Sequence, residues 1–414
     1  MEHEINVGDH LKKQKKILLL TTIYPSPDLN KGTSVIHYFT REWVEMGHEV
    51  KVIHYQVVYP IIFYFMAKLF KEKIASMTGA VVHTKRDKSD KIYMLDNVVI
   101  YRFPIFKIVP HGRFAKKAIE DQLTKLKNII KDEHWIPDII IGHFPNPQLE
   151  IIHELKNIYH ARTCMIMHWA NLDIKRIYKN KHQEFMDSID IWGYRSMPIQ
   201  REFEKIYGKQ KRSFLCYSGI PEKYIVQSND REFCGDLKRF VYIGDLIKQK
   251  HPISLVYAIC RIYHNNTDYR IIYIGEGDEK RKIQGIIDSL DIKEHVSFLG
   301  RVPRDNIPAI LDGSECMIMI SQSEAFGLVY LESMGRGCIT IGSKNEGIDG
   351  IIQNGINGFL CEAGNEQELA NIIRHINSLT AEERKKISQN AIATAKELTD
   401  YRTALKYIES VNFE

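Results

Sequence analysis

The sequence predicts an α/β protein made of two doubly wound units, and three observations carry that prediction. Short apolar runs of strand length alternate with segments of helical periodicity along the chain. The alternation passes through a bend at Ser218 and Gly219 and restarts at Phe240. A chain of 414 residues is long enough to bury two separate cores.

Composition narrows the class. With 44% hydrophobic and 26% charged residues and no low-complexity run, the chain is that of a globular protein. Its seven cysteines are odd in number, scattered and without C-x-x-C spacing, so they read as reduced core residues, not as staples or zinc ligands. The apolar run at 17–20 is too short for a signal peptide, and a cytoplasmic location is expected. Net charge is +5, but residues 51–120 hold 13 basic against 5 acidic side chains, a local anion-seeking surface.

The first unit opens with a strand at 16–22 (KILLLTT), a loop at 23–33 that contains Gly32, a helix at 34–47 and a strand at 49–54. This order starts a parallel sheet. Residues 57–77 follow, and their apolar, aromatic part at 57–70 is well short of the roughly 20 residues that span a bilayer. With Lys68, Lys71 and Lys73 clustered at one end, the segment reads as a helix lying in a membrane interface, or else as a core helix with a solvated lysine face. Further aromatic and basic residues at 101–117 belong to the same basic region. Residues 136–142 read as a central strand with a loop at 143–148, and 163–167 as the strand leading into His168. Strand ends at the carboxyl edge of a parallel sheet point into the crevice where ligands bind, which singles out His168 and also His143. A strand at 188–194, a helix at 198–207, a strand at 213–217 and a polar surface link at 226–238 complete this part.

The second unit places strands at 240–243, 269–274 and 296–300, with loops at 244–250, 275–277 and 301–303. Its centre is 317–344: an apolar strand, a polar corner at 321–324, a helix from Leu328 and a strand at 338–341. Gly327 opens the helix, so the amides of Gly327, Leu328 and Val329 lack intrahelical partners and add to the positive helix end, about half a unit charge. A phosphate suits that corner. Glu324 and Glu332, spaced E-x7-E, would repel a diphosphate and make better sense as acceptors for hydroxyls flanking it. A sugar nucleotide offers both groups. A Gly-rich turn at 354–358, two helices within 366–398 and a last helix at 401–411 follow.

Ser323, Glu324, Ala325, Phe326, Gly327 and Leu328, with Glu332, Gly335 and Gly337, resemble the E-x7-E signature of retaining glycosyltransferase family 4, here of bacterial surface-polysaccharide type. The resemblance implies the GT-B fold: two Rossmann-like doubly wound domains facing a central cleft. Residues 1–217 would be the acceptor-side domain, 218–398 the donor domain and 399–414 a helix returning to the first. It implies transfer of a hexose from a nucleoside diphosphate to a hydroxyl, with retention, and a donor that is a UDP-sugar before a GDP-sugar. His168 then contacts the sugar near the reacting carbon, and Gly32 sits near the donor phosphates. Lys250 matches a diphosphate-holding lysine, but Asp245 stands where the family has Arg, so Lys248 is expected to supply the missing charge and Asp245 to turn toward a neighbouring lysine. Arg301 and Val302 become base-site candidates, Phe326 is a donor-binding residue, Gly327 through Val329 cap the phosphates, Glu332 holds the ribose and Glu324 orients sugar hydroxyls. No D-x-D motif occurs, consistent with a metal-free site that needs no cofactor. The partners implied are a nucleotide sugar, a glycan or lipid-linked acceptor and the inner face of the plasma membrane, with no nucleic acid. A nucleotide-sugar epimerase of related fold and a non-catalytic sugar-nucleotide-binding partner of an assembly complex are the alternatives.

Overall fold

The computed structural model describes residues 14–27, 34–78, 86–109, 112–169, 174–228, 231–263 and 268–412. They form two units. The first comprises Met1–Tyr194, Glu202–Cys216 and Thr403–Glu414, and the second Arg195–Arg201 and Tyr217–Arg402.

The first sheet contains β1 (Lys16–Thr21), β2 (Glu49–Val58), β3 (Lys91–Leu95), β4 (Val98–Phe106), β5 (Ile139–His143), β6 (Arg162–Met167), β7 (Ile191–Tyr194) and β8 (Ser213–Leu215). Its order is β3-β4-β2-β1-β5-β6-β7-β8, parallel except for the antiparallel edge strand β3. Strands covered by helices on both faces need apolar side chains at every position, and Ile17 to Leu20 and Ile139 to Ile141 are buried accordingly. The order reverses direction between β1 and β5. Such a switch point opens a crevice at the carboxyl ends of the strands, here where His143 ends β5.

The second sheet contains β9 (Arg239–Ile243), β10 (Arg270–Ile274), β11 (Val296–Gly300), β12 (Cys316–Ile318), β13 (Ile339–Ser343) and β14 (Phe359–Cys361), all parallel, in the order β11-β10-β9-β12-β13-β14. Its switch point lies between β9 and β12. The loops that follow those two strands hold Lys248, Lys250 and Glu324, so topology alone brings these residues together.

Several boundaries differ from those expected. Residues 226–228 and 231–238 are mostly exposed, as expected of a surface link, but they are anchored: Phe233 and Leu237 are buried in the second core, and the Arg231 guanidinium donates to the Leu311 and Arg336 carbonyls at 2.9 and 3.0 Å. Ile136 stays exposed and the strand begins at Ile139, just after Asp138, whose amide donates to the Lys16 carbonyl at 2.9 Å and whose carboxylate accepts the Lys16 amide at 2.8 Å. Residues 57 and 58 end β2, and the helix after them is Ile61–Thr78. Of the cysteines, Cys234 is exposed and Cys260 half-buried, so the expectation of core placement fails for them. Arg195–Arg201 groups with the second unit, where the Arg195 side chain bonds Ser218 and lies over the Phe326 ring.

Gly219 marks a close crossing. A Cβ there would stand 2.4 Å from Thr399, because the Ile220 amide donates to Leu398 and the Asp400 amide donates back to Ile220. The last helix, Asp400–Val411, begins at that crossing. From Thr403 it belongs to the first unit, where Tyr407 packs edge-on to Phe39 and Trp43 and the Trp43 indole donates to the Ala404 carbonyl at 2.9 Å. Among the described residues, no helix is long and apolar enough to cross a membrane.

Candidate functional site

In the second unit the chain leaves β12 through a corner in which Ser321 is buried and Gln322 and Ser323 are exposed, and it enters the helix Leu328–Gly335 at Gly327. Gly327 has φ +77, and a Cβ at this position would meet the Tyr330 ring at 2.5 Å, so only glycine permits the turn. The Tyr330 hydroxyl donates to the Met319 carbonyl at 2.7 Å, which ties the helix start to the end of the strand. Gly327, Leu328 and Val329 remain partly exposed, leaving the amide end of the helix open to an anion.

Three loops meet around Glu324. Its carboxylate is ion-paired with the Lys250 ammonium, and both side chains are largely buried. Its amide donates to Glu346 Oε2 at 2.7 Å, and its carbonyl accepts the Gly347 amide at 2.8 Å. That approach requires a glycine at 347, since a Cβ would lie 2.4 Å from Ala325. Burial pushes the Glu346 carboxyl above the ordinary carboxylate range, and the nearby Glu324 charge adds to the rise. The Gln322 amide donates to the Gln249 carbonyl at 2.7 Å, fastening the Lys248–Lys250 turn against this corner. Lys248 is exposed on that turn.

Glu332 faces a different partner. It is 5% exposed, and Arg304 Nε donates to its Oε1 at 2.7 Å. Burial raises the Glu332 carboxyl, and the guanidinium opposes the rise. The Arg304 guanidinium also lies 5.4 Å from the Tyr224 ring centre, and the Tyr224 hydroxyl donates to Asp305 at 2.7 Å.

Asp245 does not turn toward a lysine. Its nearest cation is Arg301, at 3.5 Å, with both side chains more than half exposed, a geometry that contributes little to stability. The cause is the sheet order. Loops after β9, β10 and β11 emerge side by side, joined by Gly244 to Ile274 and Gly275 to Gly300 backbone bonds of 2.9 and 2.7 Å. Val302, Leu328 and Val329 pack partly against the core, and Phe326 is buried beneath Arg195 and beside Tyr217.

In the first unit His168 follows β6, and its Nε2 lies 2.9 Å from Nδ1 of His143. The Phe144 ring stacks on His168 at 4.1 Å, and Trp169 beside it is 44% exposed. His143 Nε2 lies 3.3 Å from the Tyr407 hydroxyl. Gly32 lies outside the described residues. Among the described residues, no three His, Cys, Asp or Glu side chains are grouped as a metal site.

Four residues escaped the sequence reading: Arg304, Glu346, Arg195 and Tyr407. Glu346 was legible in part, because it opens the Gly-rich loop after β13. Arg304 and Tyr407 reach their partners from 28 and 264 residues away, and neither carries a local signal.

Two doubly wound sheets, with a helix amide end at the second switch point, have the GT-B architecture. Residues 226–394 match the family model described as glycosyl transferases group 1. A stretch of 133 residues is 35% identical to the N-acetyl-alpha-D-glucosaminyl L-malate synthase of Bacillus anthracis, covering 32% of this chain and 34% of that relative. An uncharacterized glycosyltransferase of Methanocaldococcus jannaschii is 24% identical over 73% of this chain and 81% of its own length. Among solved structures, Anabaena HepE in complex with UDP and glucose superposes with a TM-score of 0.63 at 16% identity, covering 96% of this chain and 99% of that one, a likeness of fold. The match to the group 1 glycosyl transferases thus covers residues 226–394, and the chain as a whole has the GT-B fold.

Proposed function

We propose that this chain is a retaining glycosyltransferase that moves a hexose from a nucleoside diphosphate, UDP before GDP, to a hydroxyl of a glycan or lipid-linked acceptor in surface-polysaccharide synthesis. The observation that carries this reading is the Lys250 and Glu324 pair beside the open amide end of the helix Leu328–Gly335. A diphosphate entering there meets an ammonium and the helix amides, while the carboxylate turns to sugar hydroxyls. UDP and glucose in the Anabaena HepE structure support the choice of donor.

In the reaction the bond from the anomeric carbon to the phosphate oxygen breaks, and its electron pair stays on the diphosphate. The acceptor oxygen bonds to the same face of that carbon, and its proton passes to the departing phosphate oxygen. Lys250 and Lys248 offset the charge that develops there, so the step needs no metal. Glu324 orients the sugar, Glu332 accepts from the ribose, and His168 contacts the sugar near the reacting carbon.

The acceptor side is read as cytoplasmic and docked on the inner face of the plasma membrane. Ile61, Ile62, Phe65, Leu69 and Phe70 are 47–73% exposed on their helix. Val58 and Phe106 are register partners, so this helix and the exposed Ile108 and Val109 leave the sheet side by side. Large apolar side chains exposed together in a basic region suit an anionic lipid surface better than they suit water.

A donor panel tests the reading. UDP- and GDP-sugars are screened for a rise in melting temperature, which a ligand of the folded state produces, and then for transfer to lipid-linked and soluble acceptors. Stabilisation by a UDP-sugar followed by transfer with retention is expected. Conversion of the donor without an acceptor would replace this reading with epimerisation, and a panel without any stabilising donor would overturn it.

A further inference from the structure

Just past β4 the chain buries Lys107, a cation that the reaction above does not use. Its amide donates to the Val58 carbonyl at 2.8 Å, which extends the pairing of β4 with β2, and the residue is only 8% exposed. We propose that Lys107, with Arg86 at the same strand end, binds the phosphate of a membrane lipid. The role rests on the docked reading above and names the group that the docked surface recognises.

The ammonium nitrogen lies 4.6 Å from the centre of the Phe114 ring, a cation–π contact with a side chain that is itself buried. Among the described residues no carboxylate pairs with it. Burial lowers the ammonium to about 8, so at neutral pH the side chain still carries its proton. A buried charge without a counter-ion is costly, and an aromatic face offsets only part of that cost. An anion from outside the chain would offset the rest.

Neighbouring carboxylates do not fill this role. Residues 101–117 hold five basic side chains and no acidic one. Glu150 is paired with Arg113 at 3.0 Å, Glu120 with Lys116 at 3.3 Å and Asp87 with Arg102 at 2.7 Å. Arg86 brings a second cation: its guanidinium lies 5.9 Å from the ring centre of Phe106, the last residue of β4, and its Nε is buried without a hydrogen-bond partner. Two cations at one strand end, neither paired with a carboxylate among the described residues, suit the several oxygens of a phosphate.

The surroundings favour a lipid phosphate over a free one. Phe106, Ile108 and Val109, on either side of Lys107, are 42%, 65% and 51% exposed, and the helix Ile61–Thr78 with its exposed apolar residues leaves β2 next to them. A free phosphate gains nothing from these side chains. A lipid can set its phosphate at the ammonium and its chains against them. Surface lysines give a diffuse attraction to any anionic leaflet, and Lys107 adds a short-range contact to one group.

The probe is dihexanoylphosphatidic acid, kept monomeric and titrated against the full chain, with the melting temperature as the readout. The wild-type chain should be stabilised, and inorganic phosphate at the same concentrations should stabilise it far less. Lys107→Met keeps the buried stem and removes the charge, so the chain should fold and bind the lipid about tenfold or more weakly, the size of one charge-assisted hydrogen bond. Lys116→Met, on a side chain that is 83% exposed in the same basic stretch, should change the affinity less than about twofold. Equal stabilisation by inorganic phosphate would assign the site to a free anion and overturn the lipid. Equal losses in the two lysine variants would reduce the site to diffuse charge, and a wild-type chain that the lipid does not stabilise would overturn it outright. Sedimentation with vesicles of phosphatidylglycerol and phosphatidylcholine separates this from the docked reading. Vesicle binding by a chain that the monomeric lipid does not stabilise leaves docking in place and removes the site; stabilisation that Lys107→Met abolishes, without vesicle binding, leaves the site and removes docking.

Discussion

At the carboxyl edge of the second sheet, the largely buried Glu324 and Glu332 each sit beside a cation, whereas the edge of the first sheet presents imidazole and phenol groups joined by hydrogen bonds. The difference follows from what burial costs. A carboxylate taken from water needs a counter-ion, and removing that partner is far more damaging than never having placed the pair. A neutral imidazole needs only its hydrogen bonds. On the proposed reading the second edge exchanges one anion for another, with a diphosphate taking the place of a carboxylate. The first edge is suited to uncharged hydroxyls. The two units share a winding pattern, and on the proposed reading they divide the chemistry.

Five variants test that division, taken from the largest effect to the smallest. Glu324→Gln keeps the shape of the corner and removes its charge, and turnover should fall a hundredfold or more in a chain that still folds. Unchanged steady-state kinetics would take Glu324 out of the reaction. Arg304→Ala strands the buried Glu332 carboxylate and should cost about 3–5 kcal/mol in denaturant unfolding at neutral pH. The sign with pH follows from the raised Glu332 carboxyl: the folded state holds its proton more tightly than the unfolded chain, so the loss should shrink as pH falls and Glu332 is neutralised. A deficit that stays constant with pH would mean that Arg304 acts through packing on Tyr224 instead.

Lys250→Ala should raise the donor KM or lower kcat about tenfold or more, and Lys248→Ala nearly as much, because Asp245 supplies no cation to this loop. An effect confined to Lys250 would show that Lys248 is only a solvated side chain. The pair Phe63→Asp and Phe65→Asp should leave circular dichroism unchanged, since Phe63 is 38% and Phe65 is 64% exposed, and should reduce sedimentation with anionic vesicles. That binding should weaken with salt. Equal binding to neutral vesicles would break the charge-driven version.

Much of the fold could be read from local pattern. Strands such as residues 16–21 and 139–143 are continuous apolar runs, and a buried parallel strand requires that composition. The corner at Glu324 was legible because glycine, two carboxylates and a helix start occur within ten residues. What escaped was decided by sheet order and by partners distant in sequence. Asp245 found Arg301 because β9 and β11 flank β10. Residues 226–238 looked like a link because their charges outnumber their apolar side chains, yet two of the latter, Phe233 and Leu237, anchor the segment in the core.

The last helix has a consequence for synthesis. Ala404, Tyr407, Ile408 and Val411 lie in the first core, although they leave the ribosome after every residue of the second unit. Domains ordinarily fold as they emerge, the amino-terminal one first. Here the unit that is translated first is completed last, and until residues 403–411 arrive it keeps Phe39 and Trp43 without their aromatic partner. The earlier-made unit must therefore wait, partly open, while the later-made one closes.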